Sequence, residues 1–164
     1  MAGLGVHLAI GEEVVSRLLA AEDDADVVAL IVAQLEAERD PRYVFRTGRT
    51  WNPLHRCLTN GTLALDAGSF PLSHAVLGGV QLCENDGHLV SLVRPDQVPA
   101  VADALTPIDR QWLRTRYNSF EFPGYEGSRG DEDFAAAWAS VQGLADFFQV
   151  AAQDRRAVIF IVEL

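Results

Sequence analysis

Apolar positions recur along this chain with two periods, and the switches between them divide it into elements. Leu4, Val6, Leu8 and Ile10 alternate, as a half-buried strand does, with His7 on the other face. Helical spacing follows at once. Glu12 and Glu13 suit a helix N-terminus, and Val14, Val15, Leu18 and Leu19 form an apolar face behind them. The acidic stretch Glu22–Asp26 then reads as a helix–helix junction, with Asp24 or Asp26 capping a second helix whose stripe is Val27, Leu30, Ile31 and Leu35. Asp40-Pro41 ends it, because proline disfavours the α conformation in the residue before it. Thr50 is placed to cap a short helix from Trp51 to about Leu58, which Asn60-Gly61 stops.

Further on, glycines, prolines and turn residues punctuate the pattern. Gly78-Gly79 marks a tight turn or a close backbone approach, Asn85-Asp86-Gly87 a turn, and Leu89–Val93 a strand. Pro95 is placed to open a helix with the stripe Val98, Val101, Ala102 and Leu105, and Thr106–Asp109 resembles a capping box for another through about Tyr117. Residues 118–130, rich in glycine, proline and aromatics, read as a long loop. Asp131 is placed to cap a helix of about 22 residues whose stripe runs Phe134, Trp138, Val141, Leu144 or Ala145, Phe148 and Ala152. Gly143 within it suggests close helix packing. The last strand, Ala157–Glu163, is apolar on both faces and belongs at the centre of a sheet. These elements predict one compact, helix-rich α+β domain over residues 1–164, with a small sheet that includes the N- and C-terminal strands.

Length and composition agree with one domain. A chain of 164 residues exposes about 8,000 Å² when folded, having buried about 70% of its unfolded surface. The longest strictly apolar run, Ala157–Val162, is far shorter than the roughly 20 residues of a membrane span. No basic segment precedes an apolar stretch at the N-terminus, so the expectation is a cytoplasmic protein. A net charge of −10 opposes binding to nucleic acid or to anionic membranes. All 13 cations are arginine, which removes Schiff-base lysines and the lysine of a phosphate loop.

Few residues carry recognisable chemistry. Cys57 and Cys83 form neither a CxxC pair nor a zinc pattern and read as reduced, buried thiols. The four histidines lack metal-ligand spacing, and nothing resembles a nucleophile elbow, so no catalytic residue, metal or cofactor is assigned. Trp51 and His55 share one helical face, with Thr59 four residues beyond His55. That histidine is either a core residue donating to a buried carbonyl or hydroxyl, or a site residue beside an aromatic wall. Arg42, Arg46, Arg49 and Arg56 form the one cationic cluster. They can grip a carboxylate or phosphate, or pair with the acids of the first two helices, which is the simpler expectation. In the long loop, Phe120, Phe122 and Tyr125, flanked by Arg129, have the residue types of interface anchors.

The chain also resembles the YfbM-like family of bacterial proteins, a group classed as domains of unknown function. Trp51, Leu54, His55, Leu58, Thr59 and Gly61 carry the central signature, with Asn60 standing between a threonine and a glycine that are typically adjacent in the family. Pro71-Leu72-Ser73 through Leu77-Gly78-Gly79 follows, then the proline-led helix around Val98–Leu105 and the closing Phe147-Phe148 helix and strand. The resemblance implies a compact cytoplasmic α+β domain and no established activity.

Two functional expectations result. The first is a non-catalytic binding or regulatory module for a protein partner, with Phe122 and Tyr125 as anchors; an immunity-like role against a basic partner suits the negative charge. The second is a small-ligand receptor or small enzyme for an anionic compound, with a pocket near Trp51, His55, Thr59 and the Arg42–Arg49 cluster, Arg46 and Arg49 included.

Overall fold

The computed structural model describes residues 3–85 and 87–164, so the Asp86 part of the expected Asn85–Gly87 turn lies outside them. Strand β1 (Gly5–Ile10) leads into α1 (Glu12–Leu19) and α2 (Asp24–Ala37), then β2 (Val44–Gly48) and α3 (Trp51–Leu58). A long irregular stretch precedes β3 (Val80–Gln81) and β4 (His88–Val93), and α4 (Val98–Leu105), α5 (Arg110–Ser119), α6 (Asp131–Gln153) and β5 (Ala157–Glu163) complete the chain. The strands form one antiparallel sheet in the order β2-β1-β5-β4-β3. Its terminal strands pair directly, Val6 opposite Ile161 and Ile10 opposite Ala157. The fold is a compact, helix-rich α+β domain with 8129 Å² of exposed surface.

Helices cover both faces of the sheet. On one side Leu8, Ile10, Leu92 and Ile159 pack beneath α1 and α2 through Leu18, Val27 and Ile31. On the other, Ala9, Val93, Val158 and Phe160 meet α3–α6 in the larger core. The apolar character of β5 on both faces follows from its central place between these layers. The same covering corrects the expectation for β1: it is buried on both faces, and His7 lies fully buried among Phe147, Phe148 and Phe160. Leu4, outside the strand, is 65% exposed.

Several helix starts differ from the expected ones. Asp23, not Asp24 or Asp26, caps α2 by accepting the Asp26 backbone N–H at 2.9 Å. Asp24 instead accepts the Glu84 and Asn85 N–H groups, tying α2 to the chain after β3. Pro95 lies in a turn before α4, which begins at Val98 with Pro99 in its first turn. Asp109 alone caps α5, through the Trp112 N–H at 2.7 Å, and Gly130 precedes α6 without a side-chain cap. Thr50 does not cap α3; its hydroxyl lies 2.6 Å from Thr47 O and 2.7 Å from Ser140 Oγ. Gly143 faces an aromatic ring rather than another helix backbone, since a Cβ there would stand 2.4 Å from Phe45 Cε2. The glycine pair does mark close approach: a Cβ on Gly78 would lie 2.2 Å from Ser73 O, and one on Gly79 2.5 Å from Leu92 O.

Candidate functional site

Helix α3 is buried along its whole length, polar residues included. Its face carrying Trp51 and His55 points into the core, and Trp51, His55 and Thr59 each reach a backbone carbonyl. The Trp51 indole N–H donates to Gly3 O at 2.9 Å, and Thr59 Oγ1 donates to His55 O at 2.6 Å. His55 lies 3.0 Å through Nε2 from Ala64 O. A carbonyl only accepts, so Nε2 carries the proton and Nδ1 is left buried without a partner. Burial pushes the His55 pKa down, which keeps the imidazole neutral. The structure thus brings Trp51, His55 and Thr59 together as the inner wall of the core, where His55 fastens α3 to the chain that follows it.

The arginines separate. Arg42 holds Asp40 with paired hydrogen bonds, the closest at 2.8 Å, rather than an acid of α1 or α2. Arg46 and Arg49 are exposed, whereas Arg56 is only 5% exposed. Arg56 donates to Asn52 Oδ1, Gly61 O and Pro123 O. Arg116 reaches the carbonyls of Cys57 and Thr59 at the end of α3, where a cation is favoured. The main clefts of the described residues are lined by other groups, so none joins Trp51 and His55 to Arg46 and Arg49.

The loop before α6 is docked against the body. Phe122 is 7% exposed and meets the Tyr117 ring edge-on at 5.0 Å. Arg129 stacks over Phe122 at 4.0 Å and donates to Tyr117 O at 2.6 Å, while Arg56 holds the neighbouring Pro123 carbonyl. Tyr125, half-buried, completes this cluster beside Phe122. Phe122 therefore supports the loop from within, in contrast to the exposed anchor its residue type suggested. Burial also raises the two thiols, Cys57 to about 12 and Cys83 to about 11, so both are protonated at neutral pH. Among the described residues no group of histidines, cysteines and acids is placed to hold a metal ion, and no helix is long and apolar enough to cross a membrane.

The largest of the main openings among the described residues lies on the outer face of α2. Between residues 25 and 35 only Asp26 and Gln34 interrupt apolar residues, so the helix is apolar on two sides. Val27 and Ile31 are buried against the sheet. Ala25, Val28, Ala29, Val32 and Ala33 turn outward into a groove of about 690 Å³, with Asp24 and Glu36 at its ends and Cys83, Asn85 and His88 in its opposite wall. A second groove of about 370 Å³ shares Ala29 and Ala33 and continues over Ala21 and Leu30 to Glu22 and Asp26. Sequence reasoning assigned only the inward stripe of this helix. The missed signal was the near absence of polar positions, since a surface helix with one buried face needs polar residues on the other. A separate cleft of about 430 Å³ near Phe70 contains Ser73 and His74, whose Oγ and Nδ1 lie 3.0 Å apart.

Comparison places the chain in a family. The sequence profile described as "Domain of unknown function (DUF1877)" matches residues 1–161, and the chain belongs to that family. Its structure is similar to the crystal structure of YfbM from Escherichia coli, described as a protein of unknown function. The two chains are 25% identical, with a TM-score of 0.73 over 97% of this chain and 99% of that one. Among curated proteins nothing matches.

Proposed function

We propose that this domain is a non-catalytic docking module that engages a protein partner through the outer face of α2. One observation carries the reading: a helix apolar on both sides, with its second apolar side left in an open groove. Water at such a surface is displaced favourably by an apolar partner, and contiguous exposed apolar patches mark interaction sites. Arg56, Arg116 and Arg129 point the same way, because they are engaged with carbonyls and rings inside the fold. An immunity-like or regulatory role, exercised by covering a partner's surface, belongs to this class. The partner-binding surface proposed is thus α2, with Phe122 and Tyr125 holding the loop that supports the opposite layer.

A photo-crosslinking side chain at Val32 tests the reading, with the same group at exposed Asp103 of α4 as the comparison. In cells that express the protein, Val32 yields one dominant crosslinked protein and Asp103 does not. Absence of a Val32-specific product contradicts the docking reading.

A further inference from the structure

The face that α2 leaves open has a shape and a charge that together specify its occupant, provided it is the docking surface. Ala25, Ala29 and Ala33 succeed one another at i, i+4 and i+8, beside Val28 and Val32 at the same spacing. Rows four residues apart are the ridges and grooves by which helices pack, and an alanine row lets another helix axis approach to about 8 Å. Helix α2 has 14 residues and is therefore about 21 Å long, which seats about four turns of a second helix. The wall formed by Cys83, Asn85 and His88 leaves this a trough rather than a flat surface.

Charge decides which helix. Residues 20–36 contain Glu22, Asp23, Asp24, Asp26 and Glu36 and no cation. The nearby Arg39 donates to the Glu36 backbone carbonyl, and the ion pairs among the described residues, Arg42–Asp40 and Arg114–Asp131, include none of these five acids. A second copy of the chain is a poor occupant. Antiparallel pairing of two α2 helices sets Asp24 against Glu36, and parallel pairing sets each acid against itself, so like charges meet in either case. Resting on the docking reading, we infer that the occupant is a cationic amphipathic helix of a partner protein, its apolar stripe on the alanine row and its lysines or arginines against the acidic rim.

Two fluorescent 18-residue helical peptides of identical leucine stripe, one flanked by lysines and the other by glutamates, test this on the intact protein. The lysine peptide binds at 50 mM salt, weakens at least tenfold at 300 mM, and outbinds the glutamate peptide at least tenfold. Ala29→Gln/Ala33→Gln fills the row without changing charge and abolishes binding; Glu22→Gln/Asp26→Asn/Glu36→Gln leaves the row open and weakens it at least tenfold. Circular dichroism confirms that both variants are folded. Lysine-peptide binding that survives in Ala29→Gln/Ala33→Gln overturns the inference, because simple attraction to an acidic protein then accounts for it. Equal binding of both peptides, no binding of either, or a dimer in sedimentation that the alanine substitutions dissociate also overturns it. None of these results removes the Val32 crosslink, whose absence separately contradicts the docking reading.

Discussion

His55 and His7 show how the same side chain serves as structure rather than chemistry when its setting is dry. Each ring sits 3.0 Å or less from one carbonyl through Nε2, Ala64 O for His55 and Ala75 O for His7, and each leaves Nδ1 buried and unpartnered. Replacing His55 by alanine removes a fully buried ring and orphans the Ala64 carbonyl, so it should lower the unfolding free energy by about 2–4 kcal/mol in a urea titration. A loss below about 0.5 kcal/mol would show that the fold does not need the imidazole. His7 adds a dependence on pH. Burial lowers its pKa from the ordinary histidine value of 6.5 to about 4. The unfolded chain therefore takes up a proton below pH 6.5 that the folded chain refuses until about pH 4, and stability falls across that window by about 3 kcal/mol. His55, shifted the same way, adds to the slope. Unfolding measured from pH 7.5 to 4 should show this decline, and His7→Gln should flatten it; an equally steep decline in that variant would contradict the assignment. The histidine in the central motif was legible as either core or site, because helical spacing fixes which residues share a face and not which way the face turns.

At the scale of elements, α3 and the loop before α6 depend on each other through guanidinium groups. Arg56 joins Asn52, Gly61 and Pro123, and Arg129 lies over Phe122. Arg56→Met keeps much of the buried stem and removes the donors, leaving two carbonyls and an amide oxygen unpartnered. The expected cost is about 2–4 kcal/mol, with faster proteolytic cleavage between residues 120 and 130. Unchanged cleavage would show that the loop is held without Arg56, by its aromatic contacts and Arg129. Strong periodicity made α6, β5 and the inward stripe of α2 legible in the sequence. Strand β2 was not, because alternation over Val44–Gly48 is short and is interrupted by Arg46. The loop was placed correctly and its inner packing was not, since composition shows flexibility of sequence and no partner for Phe122. Caps failed in the same way: where several acids or threonines stand together, as at Asp23–Asp26, tertiary contacts choose among them.

For the whole molecule, the consequence is a division of labour between the two faces of the sheet. The α3–α6 layer forms the main core, while the α1–α2 layer closes a smaller one and leaves α2 apolar on its outer side. The arrangement of layers followed from the pattern of hydrophobic residues, but the open groove required knowing which side of α2 faces the sheet. Because Ala29 and Ala33 are exposed, substitutions there should leave folding nearly intact while removing docking. The most direct test measures Ala29→Gln/Ala33→Gln beside the wild type in two ways, by denaturant unfolding and by recovery of the protein crosslinked at Val32. The account predicts an unfolding free energy within about 0.5 kcal/mol of wild type for each substitution, together with loss of the crosslinked partner. A variant that is equally stable and still captures the same partner would contradict it.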